Sequence, residues 1–257
     1  MQYSNKTVVI TGASRGIGAA TAKHFATLGA TVVLAARSTN DITRITEQIR
    51  GDGGRADAIA CDVSRYEDIA ALEEHAREKY KQIDMWVSNA GLIDPIARLA
   101  DSDPAAWSLV ADVNLKGVYY GLRAALPGMI GAGGGTFVHI SSGAATSALE
   151  GWSHYCATKA AVLSLTRVAD KEYRDQGVRV VGLSPGTVAT DMQSAIRASG
   201  INPVSQLDWS AHISPADVAK AIAWLGTQAA DPWLGQDFSL KTPDGRAAAG
   251  LAPLATG

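Results

Sequence analysis

The chain has 257 residues, 47% of them hydrophobic, which is enough to bury the core of one large α/β domain. Its 23 Lys and Arg nearly balance 25 Asp and Glu, for a formal charge of -2, so nucleic-acid binding has no electrostatic support. We expect no signal peptide, no membrane span and, with only Cys61 and Cys156 as cysteines, no disulfide framework or metal site. These expectations indicate a cytoplasmic protein with neither a membrane nor a nucleic-acid partner.

Apolar, β-branched runs alternate with longer helix-like segments. In chain order the predicted elements are strand Thr7–Ile10, helix Gly16–Leu28, strand Thr31–Ala35, helix Asp41–Ile49, strand Ala56–Ala60, helix Glu67–Tyr80, strand Ile83–Val87, helix Pro104–Ile130, strand Thr136–Ile140, helix Tyr155–Gln176, strand Val178–Leu183, helix Pro215–Gly226 and strand Phe238–Leu240.

Strands that are apolar throughout indicate a parallel sheet covered on both faces. Alternating strands and helices imply right-handed crossovers. We therefore expect the α/β class, with a doubly wound, mostly parallel, seven-stranded sheet, helices on both of its faces, and a single domain over residues 1–257. The stretch of about 191–213 has no clear period and is predicted to be a lid or substrate loop.

A glycine-rich turn, reading TGASRGIG from Thr11 to Gly18, follows the first predicted strand. Gly12 suits the tight turn, and Gly16 lets the backbone approach a pyrophosphate at the helix N-terminus, where free N–H groups and the dipole favour anions. Gly18 permits close packing of helix on strand. The spacing is GxxxGxG rather than GxGxxG, and glycines placed for geometry alone are the alternative. The strand–turn–helix context favours a nucleotide site.

The end of the second predicted strand bears on the choice of cofactor. An acidic residue at this point usually binds the ribose 2′-hydroxyl of NAD, but Ala36 stands there, followed by Arg37 and Ser38. Arg37, together with Arg15 of the glycine turn, suits a phosphate, whose oxygens match the planar guanidinium donors. We therefore predict NADP(H) as the cofactor; the alternative is that both arginines are solvated surface charges.

Tyr155 and Lys159 stand four positions apart at the start of a predicted helix and so share one face. A neighbouring cation favours the phenolate and lowers the tyrosine pKa from about 10, which suits proton exchange with a carbonyl or alcohol oxygen. YxxxK alone often matches a helix surface by coincidence. However, Ser141 and Ser142 end a strand at the expected ligand edge of the sheet, where a hydroxyl can hydrogen-bond a substrate oxygen.

Asn114 lies inside a predicted helix among apolar neighbours. Because Asn is a mediocre helix former, this position indicates a buried polar role, with an exposed polar residue as the alternative. A Ser–His hydrolase is disfavoured, since no GxSxG elbow occurs and neither His139 nor His154 has a clear acidic partner.

Seven motifs occur in an order that resembles the short-chain dehydrogenase/reductase family. They are TGASRGIG from Thr11, CDV at 61–63, NAG at 89–91, DVN at 112–114, ISS at 140–142, YxxxK at 155–159 and SPGTVAT at 184–190. The resemblance covers about two hundred residues and implies a Rossmann-type fold and an oxidoreductase that interconverts a ketone or aldehyde and an alcohol.

The resemblance also implies roles for individual residues. Tyr155 is the expected acid/base, Lys159 lowers its pKa and holds the nicotinamide ribose, and Ser142, thirteen positions before Tyr155, is the catalytic serine. Asn114 is expected to hold a water in a proton relay from Lys159. The expected cofactor contacts are Gly12, Ser14, Arg15, Gly16, Ile17, Gly18, Arg37, Ser38, Asp62, Val63, Asn89, Ala90, Gly91, Tyr155, Lys159, Pro185, Gly186, Val188 and Thr190.

Two segments depart from the family pattern. Ser88 replaces an Asn that is common before NAG, a change we expect to be tolerated. Near the C-terminus, Pro243-Asp244-Gly245 replaces the usual closing double glycine. Since the family is usually tetrameric, we expect a homo-oligomer, a tetramer or a dimer, although this departure leaves the contacts near the C-terminus open.

The expected substrate is a small or medium free ketone, aldehyde or secondary alcohol. A 3-oxoacyl-[acyl-carrier-protein] reductase is the alternative. Such reductases usually carry one basic residue just before the fifth strand and another late in the Tyr155 helix. Here the stretch Gly131–Gly135 contains no Lys or Arg, and the second position is Gln176, which would weaken electrostatic docking. A non-catalytic NADP-binding sensor or scaffold is an alternative of another class. The expected substrate contacts are Ser142, Leu149, Trp152, Tyr155, Met192 and Ile196, although core packing is equally open for Trp152.

Overall fold

A parallel β-sheet organises residues 2–253, the part of the chain that the computed structural model describes. Its seven strands lie in the order β3-β2-β1-β4-β5-β6-β7, and every neighbouring pair is parallel. The strands are β1 Thr7–Thr11, β2 Thr31–Ala36, β3 Arg55–Ala60, β4 Met85–Ser88, β5 Gly135–Ile140, β6 Val178–Ser184 and β7 Asp237–Ser239. The helices are α1 Gly16–Thr27, α2 Thr39–Gly51, α3 Tyr66–Tyr80, α4 Pro104–Ala111, α5 Gly117–Gly131, α6 Ser153–Tyr173, α7 Asp191–Ser199, α8 Pro215–Leu225 and α9 Pro243–Ala248. The predicted fold class is confirmed, with a sheet that is wholly rather than mostly parallel.

Both faces of the sheet are buried, which explains why the strands are apolar at every position. Val8 and Ile10 pack with Phe25 of α1 on one face. Val9, which points the other way, packs with Leu72 of α3 and Leu122 of α5. Successive strand residues face opposite sides, so a strand covered on both sides needs an apolar residue at each position.

The strand order reverses beside β1, and this places the functional crevice. The chain first builds outward through β2 and β3 and then returns to lay β4 on the other side of β1. In such sheets the carboxyl ends of the two central strands diverge and leave a crevice for ligands. The residues that follow β1, β2, β4, β5 and β6 therefore meet at one edge.

Two predicted elements differ from the structure. The single helix expected from Pro104 to Ile130 is divided by a π-helical turn at Asp112–Lys116, called the π turn below. The stretch predicted as a loop contains α7, which Gly200 ends in a left-handed conformation with a φ of 64°. The prediction missed α7 because a helix of nine residues shows too few turns for a clear period.

Helix α9 was not predicted, and the remaining differences are shifts of one to three residues at element ends. Among the helices of the described residues, none is both long and apolar enough to cross a bilayer. The proline that departs from the family pattern, Pro243, begins α9, where the Thr242 hydroxyl accepts a hydrogen bond from the Gly245 N–H at 3.1 Å. Proline is favoured in this first helical position because its missing N–H needs no partner there.

Candidate active site

A cleft of about 910 Å³ lies at the carboxyl edge of the sheet. It is lined by nearly all the residues that the sequence predicted as site residues, namely Gly12, Ser14, Arg15, Gly16, Ile17, Arg37, Ser38, Asp62, Val63, Asn89, Ala90, Gly91, Ser142, Leu149, Trp152, Tyr155, Lys159, Pro185, Gly186, Val188, Thr190, Met192 and Ile196. Gly18 and Asn114 are not on its surface. The structure therefore brings together side chains that are up to 184 positions apart (Gly12 to Ile196) in one crevice.

The glycine turn forms the floor of the cleft because no side chain fits there. Gly12 has a φ of 64°, and a Cβ on it would lie 2.7 Å from the Ala90 Cα. Gly16 has a φ of 53°, and its Cβ would lie 3.2 Å from the Thr190 methyl group. A positive φ is strained for residues other than glycine. The first turn of α1 has no side-chain cap, so its free N–H groups and dipole suit an anionic pyrophosphate.

Gly18 lies beneath the turn rather than on the cleft. A Cβ there would overlap the Gly12 carbonyl oxygen and lie 2.6 Å from the Asn89 Nδ2. Gly18 was predicted both to contact a cofactor and to allow close packing of helix on strand. Its position supports the packing role. Asn89 completes this layer, because its amide Nδ2 donates to the Thr11 and Gly12 carbonyl oxygens, at 3.0 Å each.

The first turn of α2 carries a carboxylate that was not among the predicted site residues. The Ser38 hydroxyl donates to Asp41 Oδ2 at 2.6 Å, and Asp41 lines the cleft beside Arg37. The Ser38 hydrogen bond and the nearby Arg44 and Arg15 lower the Asp41 pKa, so the group is ionised. Its spacing of three residues after a serine at a helix start is a capping pattern, which could have drawn attention to it.

Arg15 lies between two carboxylates. Its guanidinium is 3.4 Å from Asp191 Oδ2, with both side chains largely exposed, and it also acts on Asp41. An exposed ion pair of this kind contributes little to stability. Arg15 is therefore free to exchange this partner for a phosphate at small cost.

Tyr155 and Lys159 face the cleft from the first turns of α6. Both side chains are buried, and the Lys159 Nζ lies 5.4 Å from the centre of the Tyr155 ring. The ammonium donates to the Ile140 carbonyl oxygen at 2.6 Å. Ser142 follows Ile140 by two residues, and its Oγ accepts the Ala144 N–H at 3.2 Å. Strand β5 and helix α6 thus hold the three predicted catalytic groups together.

Burial dominates the protonation of both groups. Desolvation raises the pKa of Tyr155 to about 12, against an opposing hydrogen bond with Ser142. Desolvation lowers the pKa of Lys159 to about 8, against the opposing charge of Asp237. The sequence led us to expect a lowered tyrosine pKa, but desolvation outweighs the Ser142 hydrogen bond and raises it instead. Tyr155 is thus a neutral phenol at physiological pH.

Asn114 is fully buried in the π turn. Its Oδ1 accepts the Leu92 N–H and its Nδ2 donates to the Leu92 carbonyl oxygen, both at 2.8 Å. The side chain predicted to hold a water is thus occupied by the backbone after β4.

The other end of the cleft is apolar. Trp152, Tyr155 and Ile196 pack there with Ile93 and Ala144, and the predicted contacts Leu149 and Met192 border this cluster. The Trp152 ring meets the Tyr155 ring edge to face at 5.6 Å. Ile93 was not predicted, because it follows the NAG motif in a loop without periodicity.

Neither buried histidine is placed as a catalytic base for Ser142. The His154 Nε2 bonds the Ile93 carbonyl oxygen at 2.7 Å, and the His139 Nε2 bonds Thr166 at 2.6 Å. Both imidazoles therefore link elements of the fold. This agrees with the expectation that the chain is not a Ser–His hydrolase.

Known proteins match both the sequence and the fold. The family model described as short chain dehydrogenase matches residues 6–200. A cis-4-hydroxycyclohexanecarboxylate dehydrogenase from Sinomonas cyclohexanicum is 35% identical over 236 residues, which cover 89% of this chain and 92% of the relative. A 3-oxoacyl-[acyl-carrier-protein] reductase from Synechocystis is 32% identical over 237 residues, covering 90% and 94%.

A solved structure extends this likeness to the fold. A 7α-hydroxysteroid dehydrogenase, complexed with NADH and 7-oxoglycochenodeoxycholic acid, superposes with a TM-score of 0.82 at 28% identity. The match covers 92% of this chain and 94% of that one. The chain belongs to the short-chain dehydrogenase/reductase family of oxidoreductases. Members of this family use a nicotinamide cofactor, and the cleft floor described above fits one.

Proposed function

We propose that this chain interconverts an alicyclic or other small to medium ketone and the corresponding secondary alcohol, with NADP(H) as its preferred cofactor. The observation that carries the proposal is the position of Tyr155. Tyr155 belongs to the apolar cluster with Trp152 and Ile196 and shares one cleft with the glycine floor, which suits a dinucleotide.

The chain's own residues would supply the proton and the orientation. Tyr155, a neutral phenol, donates its proton to the carbonyl oxygen in the reducing direction and accepts one in the oxidising direction. The Ser142 hydroxyl holds the same oxygen as charge develops on it. Lys159, fixed on the Ile140 carbonyl, stabilises the phenolate that forms. The nicotinamide supplies or accepts the hydride when it is bound.

The support for NADP(H) comes from the cationic end of the cleft. Arg37 and Arg15 both line it, and Ala36 leaves no carboxylate at the strand end. The negative charge of Asp41 would repel a phosphate. However, the Arg44 guanidinium lies 3.6 Å from this carboxylate, and the Ser38 hydroxyl donates a hydrogen bond to one of its oxygens. NADH, the cofactor of the similar hydroxysteroid dehydrogenase, is the competing choice.

The support for a cyclic substrate comes from the apolar wall and from two relatives. The cyclohexane and steroid rings in the names of those proteins are compact apolar groups, and side chains such as Trp152 and Met192 suit them. Reduction of a carrier-bound acyl chain is the second candidate, favoured by the Synechocystis relative. The neutral turn Gly131–Gly135 and Gln176 disfavour it, because an acidic carrier protein needs basic docking residues.

Three further features complete the proposal. The chain is proposed to form a homo-oligomer, to act in the cytoplasm, and to use 191–213, which includes α7, as the segment that shapes the substrate end. A non-catalytic NADP-binding sensor is disfavoured because Tyr155, Lys159 and Ser142 stand together in the cleft.

The test is the oxidation of NADPH and NADH, side by side, against cyclic ketones, linear ketones, aldehydes and 3-oxoacyl thioesters. We expect NADPH to exceed NADH and a cyclic ketone to give the highest kcat/KM. Arg37→Ala should lower kcat/KM for NADPH about tenfold or more, as for the loss of a hydrogen bond to a charged group, and leave NADH nearly unchanged. Arg77→Ala, an exposed arginine on α3, is the matched control. Preference for NADH in the parent enzyme would overturn the cofactor assignment, and preference for a carrier-bound thioester would overturn the substrate.

A further inference from the structure

A half-buried carboxylate lies near Lys159, the proposed catalytic lysine. Asp237 begins β7 and pairs with Gly182 of β6, yet its carboxylate reaches back across β6 towards β5. Any Cβ on Gly182 would overlap Asp237 Oδ1 and would lie 2.8 Å from the His139 Nε2. Glycine at this position is therefore what allows the carboxylate to pass over the strand.

The Asp237 carboxylate is hydrogen-bonded to Ser141, which follows Ile140, the residue that binds the Lys159 ammonium. The Ser141 hydroxyl donates to Asp237 Oδ2 at 2.5 Å. The preceding residue, Ile140, accepts the Lys159 ammonium at 2.6 Å. One carboxylate and one ammonium are thus anchored to consecutive residues at the carboxyl end of β5.

The second oxygen of this carboxylate has no hydrogen-bond partner within residues 2–253. Asp237 Oδ1 is buried there, and no cation of that part of the chain lies within 4.0 Å of Asp237 as an ion pair. An isolated buried carboxylate is costly unless a nearby charge compensates it. Asp237 is hydrogen-bonded to Ser141, which lines the cleft, so its unpartnered oxygen calls for a role beyond packing.

The charged and titratable groups that face Asp237 come from two elements. Lys159 and the exposed Arg167, both on α6, act on it with opposite charge, although burial still raises the Asp237 pKa. His139 of β5 is buried, and desolvation followed by the charge of Lys159 lowers its pKa to about 3. The imidazole is therefore neutral, which leaves Lys159 as the buried cation on which the carboxylate acts.

We infer that Asp237 is a positioning residue for the reaction: its carboxylate, held by Ser141, keeps the Lys159 side chain on the Ile140 carbonyl and keeps its amine protonated. Burial alone favours the neutral amine, and a neutral amine could not stabilise a Tyr155 phenolate. The inference rests on the proposed role of Lys159, and it adds a fifth polar residue to the four that the sequence indicated.

The first test removes the negative charge of Asp237 and keeps the shape of its side chain. Asp237→Asn can still accept the Ser141 hydrogen bond but has no charge to act on Lys159. We expect the alkaline limit of kcat/KM to move to lower pH, with a loss of about tenfold in the alkaline range for each unit by which the Lys159 pKa falls. Activity at slightly acidic pH and the KM for the ketone should change little.

Two variants separate charge from structure. Ser141→Ala removes the hydrogen bond and keeps the carboxylate, so its alkaline limit should move less than that of Asp237→Asn. Asp175→Asn removes an exposed carboxylate beyond the end of α6 and should leave the profile unchanged. An equal displacement in Asp237→Asn and Asp175→Asn would overturn the inference, because it would reflect net charge alone.

A direct readout keeps the inference independent of turnover. NMR of ¹³C-labelled lysine, with Lys159→Arg to assign the signal, follows the titration of this one amine in the whole enzyme. We expect its midpoint to fall in Asp237→Asn. An unchanged midpoint would overturn the inference even if the variant were less stable or less active. If the parent enzyme reduced no ketone, the proposed function would fail while this titration still decided the role of Asp237.

Discussion

The residues of the cleft are controlled by burial more than by their neighbours' charges. Tyr155 and Lys159 are four positions apart on one face of α6, as the sequence indicated, but the tyrosine pKa moves up to about 12 instead of down. Spacing in a sequence reports which groups share a face, whereas desolvation depends on what the rest of the chain places around them. This explains why the sequence indicated which side chains share the cleft but not how they are protonated.

Tyr155→Phe removes the proton donor and keeps the ring. We expect kcat/KM for ketone reduction to fall by about 10²–10⁴, the usual contribution of a general acid, while NADPH still binds. Steady-state rates and quenching of protein fluorescence by NADPH measure the two effects. Tyr119→Phe, at an exposed tyrosine on α5, is the control and should match the parent. Retained turnover in Tyr155→Phe would rule out the acid/base role.

The pH dependence should differ between the two directions. Because burial raises the pKa of Tyr155 to about 12, the phenol is protonated throughout the neutral range and can donate to a ketone without a prior step. Alcohol oxidation needs the phenolate, whose fraction grows about tenfold per pH unit below the pKa. We expect kcat/KM for oxidation to rise with pH, and that for reduction to stay level, until Lys159 loses its proton near its pKa of about 8. Beyond that point both directions lose the ammonium that stabilises the phenolate. Initial rates of both directions across one buffer series would show it, and an oxidation rate that falls with pH below that point would contradict this assignment.

At the scale of elements, the strands were easier to predict than the irregular helices. Strands such as β1 and β6, buried on both faces, are continuous apolar runs that a sequence displays directly. The π turn at Asp112–Lys116 has no such signature, because its register is set by the contact of Asn114 with Leu92. Asp237 was also hidden, since its role depends on a glycine on the neighbouring strand that lies 55 positions away in sequence, at Gly182.

Asn114 should matter for stability as well as for catalysis. Asn114→Ala leaves the Leu92 N–H and carbonyl, both hydrogen-bonded to this amide, without those partners. We expect the free energy of unfolding to fall by roughly 1–3 kcal/mol for each group that stays buried and unpaired. Urea denaturation measures this. Asn40→Ala, an exposed asparagine in the first turn of α2, should change stability little. Equal stability of the parent and Asn114→Ala would mean that water replaces the amide.

For the whole molecule, the parallel sheet and the edge at which the cleft lies follow from the alternation of strands and helices, but the outer surface does not. Large apolar side chains remain partly exposed on three successive helices: Leu109 on α4, Tyr119 on α5 and Val168 on α6 are 43%, 48% and 48% exposed. Helix α6 contacts both α4 and α5, and exposed apolar groups on neighbouring helices are candidates for an association surface. A second copy of this chain is the partner that the expected homo-oligomer requires.

A charge placed on this surface should separate the copies. Val168→Lys puts an ammonium on the outward side of α6, where a closed symmetric interface would bring it close to its own equivalent or to apolar groups, and burying an unpaired charge is costly. We expect light scattering to give a multiple of the 26.7 kDa chain mass for the parent and a smaller particle for Val168→Lys. Leu207→Lys, which charges an exposed leucine between α7 and α8, should retain the parent mass. Because the cleft residues all come from one chain, the separated copies should still bind NADPH. If the parent itself had the mass of a single chain, Leu109, Tyr119 and Val168 would face solvent in the working enzyme.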